Sequence, residues 1–176
     1  MRLLMIAALA PAEALFPADP PAAPRALART RPLAAPGRAL CSPLLRARQT
    51  AAALGLVPEI VPALAELDYG VWAGRAPEAV LAEDPEGFAL WRADPAAAPH
   101  GGESRLQLIA RVADWLENCP GPGGAAIAVT HPGAIQAALI HVLGAPPEAA
   151  DRIGASGLAR LRLSHDGRRW SVLLEP

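Results

Sequence analysis

Lysine is absent from this chain of 176 residues, cysteine occurs twice, aromatic residues make up 4%, and no apolar run reaches 18 residues. With 16 arginines set against 17 acidic residues the net charge is −1, so the chain lacks the positive field that attracts a nucleic-acid backbone. Nucleic acid is therefore not an expected partner. Cys41 and Cys119 stand far apart without a CxxC spacing, which argues against a disulfide framework or a zinc site and predicts buried free thiols. A spanning helix needs about 18–20 consecutive apolar residues, so no membrane role is expected. P-loop, GxGxxG, GxSxG and HExxH patterns are missing as well.

What the chain has in quantity is alanine, 41 residues, with 20 prolines and 15 glycines. Proline and glycine together stay at about 20%, below the roughly 25–30% at which disorder becomes the better expectation. At this length a single domain over residues 1–176 is expected, burying roughly 70% of its unfolded surface. The run Leu3-Leu4-Met5-Ile6-Ala7-Ala8-Leu9-Ala10, after Met1-Arg2 and before Pro11-Ala12-Glu13-Ala14, reads either as a short signal peptide or as a strand buried on both faces. The rest of the pattern favours the strand.

Pro11 to Pro36 is rich in Pro and Ala, with one helical stretch around Arg25 to Leu33. Gly37 to Cys41 reads as a strand, and Ser42-Pro43 as the cap and first turn of a helix running to Leu54. Leu56 to Val61, interrupted by Pro58, is an edge strand or extended loop. A loop with Glu66, Asp68, Tyr69, Gly70, Trp72 and Gly74 leads into short helices over 77–83 and 85–92. Within Glu103 to Glu117, Leu106, Ile109, Ala110, Ala113 and Leu116 have the spacing of one buried helical face, and acidic residues fall in its first turn. Ala125 to Thr130 is an apolar strand, His131-Pro132-Gly133 a turn, and Ala134 to Leu143 a helix ended by Gly144. Leu158 to Leu163 and Trp170 to Leu174 form a hairpin through Asp166-Gly167. This order predicts an α/β three-layer sandwich, a mainly parallel central sheet flanked by helices.

In such a sheet ligands bind beyond the carboxyl ends of the strands. The segments there hold Arg46, Glu66 and His131, while Ala7-Ala8-Leu9-Ala10 offers nothing polar. His131 lies at the mouth of a helix, where an anion is favoured; it reads equally as a helix cap. Arg46 sits in a helical first turn, unfavourable with the dipole, or is a surface arginine. Glu66 beside aromatic residues has the setting of a general acid, or belongs to a loop ion pair. The four tryptophans are expected in packing.

Four segments in order over residues 41 to 136 resemble the histidine phosphatase superfamily, the phosphoglycerate mutase-like group. Ser42-Pro43-Leu44-Leu45-Arg46-Ala47-Arg48-Gln49-Thr50-Ala51 is similar to its SPLxRAxQTA segment, and Glu66-Leu67-Asp68-Tyr69-Gly70-Val71-Trp72-Ala73-Gly74 to its E-x-x-[FY]-G-x-W-x-G loop. Gly101-Gly102-Glu103-Ser104 matches GGES, and Val129-Thr130-His131-Pro132-Gly133-Ala134-Ile135 resembles V[ST]HGGxI. The resemblance implies Arg46 as a phosphate-gripping arginine, Glu66 as proton donor to the leaving group, and His131 as the histidine that stabilises the transferring phosphoryl. It departs at the first strand: Ala7, Ala8 and Leu9 stand where the family has Arg, the nucleophilic His and Gly. His100, His141 and His165 are poor replacements. Gln136 stands at a usual Arg, and Pro132 replaces a Gly.

These departures imply that covalent phosphohistidine catalysis is lost or severely impaired, leaving Glu66 and His131 vestigial and Arg46 with His131 as an anion pocket. The expected role is binding or regulation through a small phosphorylated ligand or inorganic anion, in the cytoplasm, with no cofactor or metal and with room for a protein partner or homodimer. Two alternatives stand beside it: a phosphomonoesterase with a non-standard nucleophile, such as His131 or an activated water, and a structural subunit that pairs with an active relative.

Overall fold

The apolar N-terminal run forms strand β1 (Arg2–Ala7) in the interior of a six-stranded sheet. The structure is a computed structural model that describes residues 1–34, 37–119 and 124–174. The other elements are α1 (Pro24–Arg29), β2 (Arg38–Cys41), α2 (Leu45–Ala53), β3 (Glu59–Ile60), α3 (Pro77–Glu83), α4 (Pro85–Ala93), α5 (Arg105–Glu117), β4 (Ala125–Thr130), α6 (Pro132–Leu143), β5 (Arg160–His165) and β6 (Trp170–Val172). Strand order is β3-β2-β4-β1-β5-β6, with the first four parallel and the terminal hairpin antiparallel. The mainly parallel sheet between helical layers is the predicted fold.

Side-chain alternation divides β1 between two cores. Leu3, Met5 and Ala7 pack with α5 and α6, alongside Leu108, Val112, Ile135 and Ala138. Ile6, with Ala8 just beyond the strand, packs towards α2, alongside Cys41, Ala47, Ala51 and Val129. A third cluster gathers Phe16, Trp72 and Val80, with the Phe16 and Trp72 rings 5.4 Å apart. Phe16 thereby docks the Pro-rich segment onto the loop after Glu66; Ala35 and Pro36 at the end of that segment lie outside the described residues.

Several local expectations need correction. The helix read from Arg25 to Leu33 ends at Arg29, with Pro32 just beyond it. Ser42 does not cap α2, which begins at Leu45, because its hydroxyl is engaged with His131. Pro132 and Gly133 belong to α6 rather than to a turn, since proline suits the first helical position. On α5 the buried face is Leu108, Val112 and Leu116, while Leu106 is 41% exposed and Ala110 is exposed. Burial follows apolar area, and two large side chains outweigh the alanine methyls of the expected face. No acidic residue lies in the first turn of α5: Ser104 caps it in a capping box with Gln107, and Glu103 precedes the cap. Cys41 is buried as expected, but Cys119 is only partly buried. Trp72 and Trp170 are buried, and Trp91 and Trp115 partly so.

Candidate functional site

Three neighbouring parallel strands bring their carboxyl ends to one level. The ladder continues one residue past each flanking strand: the Ser42 N–H donates to Val129 O at 2.9 Å, and the Ala8 N–H to Thr130 O at 2.6 Å. Ser42, His131 and Ala8 thus follow β2, β4 and β1 side by side, and each is fully buried. His131 Nε2 lies 2.8 Å from Ser42 Oγ. Because that oxygen accepts the Leu44 N–H at 3.2 Å, its own proton is available to Nε2, an arrangement that puts the imidazole proton on Nδ1. Among the described residues Nδ1 is buried without a partner, and His131, although at the cap position of α6, makes no capping bond.

Arg46 reaches the site from the first turns of α2. It is 5% exposed, which removes the surface reading, and its Nη2 lies 3.2 Å from Glu66 Oε2. The helix is tied to the start of the N-terminal segment through Thr50, whose Oγ1 donates to Arg46 O at 2.7 Å and accepts the Leu9 N–H at 3.0 Å. Glu66 also accepts from the Leu67 N–H at 3.1 Å and from the Gly133 N–H in the first turn of α6. A Cβ at position 133 would collide with Glu66 Oε1, so glycine is what lets α6 approach the carboxylate. The loop before Glu66 is held by Arg111, which grips Glu103 with two bonds of 2.7 and 2.8 Å and donates to Ala63 O at 2.8 Å.

Burial governs the charge states. The Glu66 carboxyl is pushed above its ordinary range by burial, against the opposing pull of Arg46, the Leu67 and Gly133 N–H groups and Arg111. His131 is pushed down to about 3, first by burial and then by Arg46 and Arg111, so it is neutral at pH 7. The arrangement can hold a negative charge between a guanidinium and a neutral imidazole donor beside a helix N-terminus, and it keeps a carboxyl inclined to carry a proton.

The structure therefore brings Arg46, Glu66 and His131 together, as the sequence predicts, and adds Ser42, which sequence reasoning took for a helix cap. Its position directly after a parallel strand, like that of His131, was the available signal. Ala8 is fully buried among Ile6, Cys41 and Ala47, and Ala7 among Leu3 and Met5. His100 accepts the Gly102 N–H and packs on Trp72, His141 pairs with Glu117 at 2.7 Å, and His165 packs on Trp170. Among the described residues no group of three or more His, Cys, Asp or Glu side chains is placed to hold a metal. On the α6 side of Glu66 lies a cavity of about 370 Å³, whose lining includes Tyr69, Arg105, Gly133, Gln136 and Ile140.

Comparison with known proteins shows the family and the fold. The profile of the histidine phosphatase superfamily (branch 1) matches residues 22–175. Over 132 residues, 67% of the chain, it is 35% identical to a glucosyl-3-phosphoglycerate phosphatase of Mycobacterium tuberculosis, and over 153 residues, 78% of the chain, 33% identical to one of Mycolicibacterium vanbaalenii. It spans 59% and 65% of the lengths of those relatives. Among solved structures, a mycobacterial glucosyl-3-phosphoglycerate phosphatase complexed with VO3 superposes with a TM-score of 0.76 at 27% identity, covering 98% of this chain and 97% of that one. The same enzyme with inorganic phosphate gives 0.74 at 26% identity, covering 98% and 95%. The α-ribazole phosphatase of Shigella flexneri, at 21% identity and a TM-score of 0.83 over 99% and 95%, shares the fold.

Proposed function

Given that the chain belongs to the histidine phosphatase superfamily, we propose that it binds a small phosphorylated ligand or inorganic anion at Arg46 and His131 and that phosphoryl transfer through a histidine at the end of β1 is lost or severely impaired. The observation that carries this reading is the buried methyl of Ala8, one strand away from His131, where the superfamily resemblance calls for the nucleophile. Covalent catalysis divides hydrolysis into two easier steps, and without the attacking imidazole that division is gone. What remains is suited to binding: a buried guanidinium, a neutral imidazole whose Nδ1 has no partner among the described residues, and the amino end of a twelve-residue helix. The phosphate and vanadate complexes of the mycobacterial relatives support an anion as ligand. To bind it, Arg46 must exchange Glu66 for the anion, an exchange helped by a carboxyl that burial already inclines towards its neutral form.

One observation favours a second reading, a slow phosphomonoesterase. His131 is held neutral, the protonation state that a nucleophile or a base needs. A single set of measurements separates the two. With an aryl phosphate across pH 5–8 the protein is expected to show no turnover that depends on His131; robust activity abolished in His131→Ala would replace the first reading by the second. Phosphate or vanadate is expected to raise the melting temperature of the parent, and less so that of Arg46→Ala. An equal shift in both would remove the pocket at Arg46.

A further inference from the structure

The two faces of the sheet are covered unequally. On one, α5 and α6 pack over Leu3, Met5 and Ala7. On the other, α2 packs over Cys41 and Val129 through Ala47 and Ala51, while Leu4, Leu33 and Leu158 stay only partly buried. Strand register sets what lies beside them. Ile127 of β4 sits opposite Leu4 of β1, and Leu4 opposite Arg162 of β5, with Arg2 and Arg160 two residues away on the same face.

A groove of about 310 Å³ runs over this part of the face, lined by Leu4, Leu33 and Ile127 together with Arg2, Arg160 and Arg162. A second, of about 350 Å³, shares Leu33 and Arg160 with the first and adds Arg29 and Arg31, which close α1 and follow it, and the apolar Leu54 and Leu158. The two are adjoining halves of one groove. Neither lining has a carboxylate among the described residues. The side chains of Arg2, Arg29, Arg31 and Arg160 are exposed and take part in no ion pair or hydrogen bond among the described residues. Five of the 16 arginines thus gather along an apolar groove on a chain whose net charge is −1. Charges of one sign over a low-dielectric wall focus their field on whatever enters, so the complement of this surface is negative at one end and apolar along its length.

We propose that the groove binds a single-chain alkyl carboxylate, with the hydrocarbon tail in the first half along Leu4, Leu33 and Ile127 and the carboxylate in the second half, held by Arg160 and Arg31. The division follows the linings: the first half is mainly apolar, and the second gathers three guanidiniums. Each half falls in the range of small-molecule sites, roughly 300–1,000 Å³, where an apolar wall supplies affinity and a few charged groups fix orientation. Guanidiniums suit a carboxylate because both are planar and their bonds are charge-assisted. A flat lipid surface fits less well, since it would meet the exposed guanidiniums first and leave Ile127, 7% exposed, untouched. The groove shares no lining residue with Arg46, Glu66 or His131, so this assignment stands or falls independently of the anion site.

The test is calorimetric titration of the full chain at pH 7 with decanoate, decyltrimethylammonium and butyrate, which separate tail from head. Decanoate is expected to bind about tenfold or more tightly than decyltrimethylammonium, which has the same tail and the opposite charge, and butyrate is expected to give no measurable binding. Lengthening the acid from hexanoate to decanoate strengthens binding by up to about fourfold per methylene. In Arg31→Gln/Arg160→Gln, changed at two exposed positions, the preference for the acid over the ammonium falls to near unity. Leu33→Glu sets a carboxylate where the two halves meet and abolishes decanoate binding with the circular dichroism unchanged; should that variant fail to fold, the arginine variant decides. Absence of decanoate binding to the parent, equal affinities for acid and ammonium, or a preference that survives the arginine variant overturns the assignment. A peptide of alternating leucine and glutamate that binds where decanoate does not, and is lost in the arginine variant, overturns it as well and gives the groove to a protein segment.

Discussion

Strands β1 and β4 run side by side, parallel and in register from Arg2 opposite Ala125 to Ala7 opposite Thr130, yet they end in opposite chemistry. Strand β4 delivers a hydroxyl and an imidazole, and β1 delivers two methyl groups. All four residues, Thr130 and His131 against Ala7 and Ala8, are fully buried. Burial of a polar group is unfavourable without a partner, and β4 meets this requirement from outside its own strand: Thr130 Oγ1 donates to Leu64 O at 2.7 Å, and His131 bonds Ser42. None of those partners comes from β1. The comparison teaches that the polar half of this site stands without any polar side chain from β1, which is why an anion-binding arrangement can persist beside an apolar one.

The strongest way to break the contrast is to give β1 the chemistry it lacks. Ala7→Arg with Ala8→His is expected to introduce turnover of an aryl phosphate, assayed beside circular dichroism to confirm the fold. Both sites are fully packed, so the larger side chains cost roughly 1–3 kcal/mol in urea unfolding. Turnover no higher than that of the parent in a folded double variant would show that Ala7 and Ala8 do not stand at the family's Arg and His positions.

A smaller effect separates the two strand ends by pH, since only β4 ends in a titrating group. The folded protein protonates His131 only near pH 3, whereas an unfolded histidine does so near 6.5. Between those values the unfolded chain binds more protons, so this contribution is complete above about pH 6.5 and is lost as pH falls, by up to about 1.4 kcal/mol per unit. Glu66 works in the opposite sense. Its raised folded pKa gives a contribution that is full below the ordinary carboxylate range and fades as pH rises through the folded value. The stability advantage of the parent over His131→Asn is therefore expected to shrink between pH 6.5 and 5 in urea titrations; a constant difference would mean that His131 titrates as an exposed histidine.

The smallest expected effect is at the register partners Ala7 and Thr130. Thr130→Val keeps the shape but leaves Leu64 O without its buried donor, a loss of roughly 1–2 kcal/mol by urea unfolding. No change would show that the hydroxyl at the end of β4 is as dispensable as the methyl at the end of β1.

Strand β4, helix α3 and the terminal hairpin were legible because short apolar runs, proline at a helix start and an Asp-Gly turn are local signals. Arg46, Glu66 and His131 were legible through their place after strands and within recognisable segments. The face of α5 was misread because spacing alone did not weigh Leu108 and Val112 against two alanines. The arginine-lined cavity was not legible at all: Arg92, Arg105 and Arg152 sit on three elements and share no motif.

The sequence by itself determined the strand order along the chain, the apolar end of β1 and the residue types available for holding an anion. Only the tertiary structure decided that Ser42 serves His131 rather than its own helix, that Arg46 meets Glu66, and that Arg92, Arg105 and Arg152 line one cavity. The physical reason is that hydrogen bonds and ion pairs between residues 20 to 89 positions apart depend on how strands and helices are packed, whereas propensity and periodicity report only on near neighbours.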